Sequence, residues 1–189
     1  AVADSNPKHE LAPNARLQQG LGLLGQGKSA EAQAALQKFV AGYPADAQID
    51  LATFKLGMAM IGQKQWDPAL AQFAKLAVMA KSEWRDNALY RSAWAEKAAD
   101  RPDKAIVHYE ALLAGFPQSQ WLEASIFELA ELEFEAAEKG ASEHYDSAIE
   151  RLTALVTKTK DQLLLSKAHD KLGWCHYNKQ AYDLAAKSF

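Results

Sequence analysis

Five alanines stand at one phase of a long repeat: Ala32, Ala69, Ala105, Ala148 and Ala185, separated by 37, 36, 43 and 37 residues. Four residues after each comes a bulky side chain: Leu36, Phe73, Tyr109, Leu152 and Phe189. Twelve residues before the anchor sits a second small residue, Gly20, Gly57, Ala93 or Gly173; in the fourth unit the matching Ala130 lies eighteen before Ala148. A small residue at fixed phase means that two backbones cross closely, because a larger Cβ substituent would hold them apart. Periods in this range are the mark of a helical solenoid.

The second unit shows what repeats. Leu51, Phe54, Met58 and Ile61 recur at helical spacing, with Leu56 and Met60 widening the apolar surface. Gly62-Gln63-Lys64-Gln65 is too polar to extend that pattern. Asp67-Pro68 restarts it, since an Asp side chain accepts from free amides at a helix start and proline is tolerated in the first turn. Ala69, Phe73 and Leu76 carry the inner face of the second helix. Two helices joined by about four residues form an antiparallel αα-hairpin.

The chain is therefore expected to be all-α, a right-handed superhelix of antiparallel hairpins in a single solenoid over 13–189. The hairpins are expected near 13–44, 48–80, 84–116, 119–157 and 161–189, after a loose N-terminal arm over 1–12. The first helix of hairpin 1 is weak on propensity, because Gly20, Gly22 and Gly25 each cost about 1 kcal/mol against alanine. In hairpin 4 a helical pattern runs from Trp121 to Lys139 and breaks at Gly140-Ala141-Ser142, so the six added residues lengthen that helix or its turn. The repeat phase stops four residues after Ala185, which predicts an incomplete last hairpin and a polypeptide that continues beyond Phe189.

With Leu56-Gly57, Trp66, Ala69, Phe73 and the Pro44 or Pro117 that follows a hairpin, the chain resembles the tetratricopeptide repeat family. Leu172-Gly173, Tyr182, Ala185 and Phe189 repeat the agreement. The phrases Gly42-Tyr43-Pro44 and Gly115-Phe116-Pro117 look like the bacterial envelope branch, with its TolA-binding and outer-membrane-assembly adaptors. That resemblance implies a protein or peptide partner, and a periplasmic or envelope location in preference to a cytoplasmic one. It also implies that the first helix of each hairpin lines a concave surface. Transferred by phase, the groove residues are Phe54, Met58 and Ile61, then Asn87, Tyr90, Trp94 and Lys97, then Phe127, Glu131 and Phe134, then Asp170, Trp174 and Tyr177. Several of these aromatic residues have an equally natural place in packing between adjacent hairpins.

Other chemistry finds little support. A net charge of −3 and scattered basic residues argue against a nucleic-acid face. Gly22 to Ser29 matches a phosphate-binding loop, and Gly20, Gly22 and Gly25 match a dinucleotide fingerprint, yet Ala15-Arg16-Leu17-Gln18-Gln19 before them is no buried strand. Gly25 to Ser29 reads instead as the turn of hairpin 1, with Ser29 a cap. His169 and His176 lie seven apart on one helix, about 10 Å in rise, too far to share a metal ion unaided. Glu128, Glu131, Glu135 and Glu138 form a solvated acidic series, and Cys175 lacks the signature of an activated nucleophile. Lys55 interrupts the best candidate for a membrane span. No cofactor, metal or catalytic residue is assigned. The expected function is a non-catalytic adaptor binding a protein segment on its concave face. The alternative is a scaffold or regulatory module of a larger protein whose catalytic part lies outside this chain.

Overall fold

A computed structural model describes residues 9–189. Among the described residues ten helices account for the regular structure, and no strand occurs. They are α1 (Ala12–Gly25), α2 (Ser29–Gly42), α3 (Ile49–Ile61), α4 (Trp66–Ala77), α5 (Arg85–Ala98), α6 (Pro102–Gly115), α7 (Leu122–Glu138), α8 (His144–Val156), α9 (Gln162–Asn178) and α10 (Tyr182–Ser188). The chain forms two compact units, with α1–α5 in the first, up to Arg101, and α6–α10 in the second, from Pro102. Most of the segment expected as a loose arm, residues 1–8, lies outside the described residues. Its far end is helical: Ala12 opens α1 and is buried.

The same turn closes five helices, α1, α3, α5, α7 and α9. Gly27, Lys64, Asp100, Gly140 and Gln180 all have positive φ, between 57° and 117°. Beyond each, a backbone N–H reaches back five residues: Lys28 to Leu23, Gln65 to Met60, Arg101 to Glu96, Ala141 to Ala136 and Ala181 to His176, at 2.9–3.2 Å. This is the Schellman arrangement, in which one left-handed residue lets the chain satisfy the carbonyls of the last helical turn. The next helix then starts without a side-chain cap in α2, α4 and α10, so Ser29 does not cap α2. Asp67 does not cap α4 either. It is the second residue of that helix, and its carboxylate accepts a hydrogen bond from Arg101 Nη1 at 2.6 Å. Asp161 does cap α9, accepting from the amides of Leu163 and Leu164.

In unit 1 the small residues are the crossing points. A Cβ on Gly20 would lie 2.6 Å from Leu36 Cγ, and one on Gly57 would lie 2.5 Å from Cε1 of Phe73. Each glycine thus meets the bulky residue four positions after the anchor alanine of its own hairpin. Leu17, Leu36, Phe39, Phe54, Phe73 and Leu76 fill the core around them. The polar turn of hairpin 2 docks on hairpin 1: Gln63 Nε2 donates to Gln33 Oε1, and Gln33 Nε2 donates to Gln65 Oε1.

In unit 2 a Cβ on Gly173 would lie 2.5 Å from Phe189 Cε1. Leu152, Leu155, Phe127, Phe134, Tyr145 and Leu172 form its core. The added residues of hairpin 4 are spread over three places. Helix α7 runs three residues further past its small residue than α1 or α5, the turn is two residues longer, and α8 starts one residue earlier relative to Ala148. Hairpins 4 and 5 are tied by hydrogen bonds from Thr159 Oγ1 to Glu123 and from Asn178 Nδ2 to the Tyr145 hydroxyl.

Candidate partner-binding surface

In unit 1 the first helices carry the expected groove residues to different depths. Phe54 belongs to the core: its ring lies 4.7 Å from that of Trp84 and 5.6 Å from that of Phe73, so it supports the surface without offering itself to a partner. Met58 and Ile61 are half-buried against the same core. Asn87 is half-buried, its backbone and side-chain amides both donating to Asp86 Oδ1. Tyr90 and Lys97 are half-buried, and the Arg91 guanidinium lies 5.6 Å from the Tyr90 ring. Trp94 stands out at 36% exposure, braced edge-on by Trp66 at the start of α4.

In unit 2 the same split appears. Phe127 and Phe134 are core residues, the latter edge-on to Tyr145 at 5.7 Å. Glu131 is engaged within the molecule, 3.5 Å from Lys171 Nζ, and that ammonium sits 4.5 Å from the Phe134 ring. Trp174 and Tyr177 are 46% and 50% exposed. They belong to a chain of four rings in edge contact, Phe189–Trp174–Tyr177–Tyr182, at 5.5–5.7 Å. Beside it an open cleft of about 550 Å³ is lined by Leu165, His169, Asp170, Lys187 and Phe189 among others. Tyr182 and Phe189 were not among the groove candidates. Tyr182 was nonetheless findable, since it and Trp66 both stand three residues before an anchor alanine.

None of the remaining motifs forms a reactive centre. Gly22 and Gly25 lie inside α1, with no strand before them and no loop of converging amides. Cys175 is fully buried, and burial pushes its thiol up to about 11. Burial, with Lys179 nearby, lowers the His176 imidazole below its usual range. Among the described residues no three His, Cys, Asp or Glu side chains gather as metal ligands, and no helix is long and apolar enough to cross a membrane.

Helical hairpins with a common turn and small-residue crossings define a tetratricopeptide-like repeat protein. The tetratricopeptide repeat family matches the chain over residues 14–46, 51–78 and 87–119. No curated protein matches it in sequence. Among solved structures, the crystal structure of MamA protein is similar in fold: TM-score 0.75 and 17% identity, covering 96% of this chain and 90% of that one. A Podosopora anserina putative kinesin light chain with nearly identical TPR-like repeats aligns at TM-score 0.70 and 17% identity, over 96% of this chain and 93% of the other. A tetratricopeptide repeat protein from Parabacteroides merdae ATCC 43184 aligns at TM-score 0.73 and 15% identity, over 92% of this chain and 63% of its own.

Proposed function

We propose that this chain is a non-catalytic adaptor that holds a protein segment against the first helices of its hairpins. Trp94 is the anchor in unit 1, and Trp174 with Tyr177 the anchors in unit 2. One observation carries the reading. Trp94 and Trp174 occupy the same repeat phase, one residue after Ala93 and Gly173, and both stay exposed while those small neighbours are buried. Large rings left in water at a recurrent position on a rigid helix are suited to recognition, since they bury wide area at low rotamer cost. A bacterial envelope adaptor is the setting suggested by the phrases ending at Pro44 and Pro117, and fractionation of the source cell tests it.

The binding test uses short randomised peptides displayed and panned against the chain. Enriched peptides should lose about thirtyfold in affinity, close to 2 kcal/mol, on Trp94→Ala or on Trp174→Ala, with helicity retained by circular dichroism. Wild-type affinity in both folded variants overturns the reading.

A further inference from the structure

Lys55 and Lys171 hold the same repeat phase, two residues before Gly57 and Gly173. Each ammonium lies over aromatic rings. Lys55 Nζ is 5.7 Å from the Phe54 centroid and 5.9 Å from that of Trp84, and Lys171 Nζ is 4.5 Å from that of Phe134. Their charges are balanced differently. Lys171 meets Glu131 of the preceding hairpin, one residue after the small Ala130. At that phase in the hairpin before Lys55 stands Leu21, one residue after Gly20.

Lys55 therefore has its ring shelf without its counter-ion. It is half-buried, and among the described residues no carboxylate pairs with it. The residues three and four positions away along α3 are Leu51, Ala52, Met58 and Ala59, none acidic. The two carboxylates of α5 are occupied: Asp86 accepts from Asn87, and Glu96 is buried against Arg101 at 2.7 Å. A cation partly withdrawn from water gains more from an incoming carboxylate than a solvated surface lysine does.

Building on the adaptor reading, we infer that unit 1 takes an acidic segment, whose Asp or Glu pairs with Lys55 while an apolar side chain packs on Met58 and Trp94. Lys55 and Met58 are three apart on one helix face, and Met58 shares the repeat phase of Trp94.

The most enriched displayed peptide is synthesised as selected and with every Asp and Glu changed to Asn and Gln. Both forms are titrated by calorimetry into the wild-type chain and into Lys55→Glu, Lys55→Met and Trp94→Ala, with melting temperatures checked. Enriched peptides carry an excess of Asp and Glu. Lys55→Glu weakens the parent peptide by about tenfold or more, and Lys55→Met by about fivefold. The neutralised peptide binds wild type and Lys55→Met alike. Affinity falls as salt is raised from roughly 50 to 300 mM. Peptides that lose affinity on Trp94→Ala but bind Lys55→Glu as tightly as wild type overturn the inference and leave the adaptor reading standing. No enrichment, or binding unaffected by Trp94→Ala and Lys55→Glu alike, overturns both. A single-stranded oligonucleotide that binds more tightly than the peptides, and is lost on Lys55→Glu, assigns Lys55 to phosphate and overturns the acidic segment.

Discussion

Single residues decide where the helices cross and turn. Gly57 faces the fully buried Phe73 ring, so a methyl group there has nowhere to go. Gly57→Ala gains about 1 kcal/mol of helix propensity and loses about 1–3 to overpacking, so a net loss of about 1 kcal/mol is expected in urea unfolding. Gly22→Ala, with open space around it, should instead stabilise by about 0.5–1 kcal/mol. Equal and opposite signs at these two glycines check the crossing directly. Lys64 holds φ 57°, a conformation that costs an L side chain about 1 kcal/mol and glycine almost nothing. After the extra unfolded-state entropy of glycine, Lys64→Gly is expected to raise stability by about 0.5 kcal/mol, also read by urea. The close crossings were legible in the sequence because the absence of a Cβ is written there. The left-handed lysine was not: only the closed turn around Lys64 imposes that φ.

At the scale of elements, hairpin 4 is held by a pair that periodicity hides. Glu133 of α7 is buried and pairs with Arg151 of α8 at 2.8 Å. Burial raises its carboxyl above the usual range, against the opposing pull of Arg151. A carboxyl raised on folding favours the folded state while protonated. That contribution is present below the unfolded value of about 4.5 and is lost as pH rises through the folded value. Glu133→Gln keeps an acceptor for Arg151 without the charge. The melting temperature of the variant relative to wild type should therefore climb as pH is raised from about 4.5 toward neutrality; a flat difference across that window refutes the assignment. Glu133 stands three residues after Ala130, as Glu96 stands three after Ala93. Sequence phase alone reads both as positions on a helix; Glu133 is met by an arginine of the next helix, and Glu96 by Arg101 in the turn that closes its own helix.

For the whole molecule, the buried thiol of Cys175 offers a probe of opening. With its pKa near 11 and no exposure, it should react with a disulfide reagent at pH 8 at least about a hundredfold more slowly than in the urea-unfolded chain. Rapid labelling of the folded protein would contradict the packing of α9. By itself the sequence determined the all-α class, the period and the glycines at the crossings. These follow from local chemistry: apolar spacing near 3.6, chain-breaking turns, and glycine where no Cβ fits. Tertiary structure alone decided which groove candidates face water. Phe54, Tyr90 and Phe127 share one phase, yet Phe54 and Phe127 are core residues and Tyr90 is half-buried. Glu131 was a charged candidate, yet its carboxylate is already bound to Lys171. Phase tells a side chain which way to point; what it meets there depends on residues many positions away, brought into contact only when the hairpins pack.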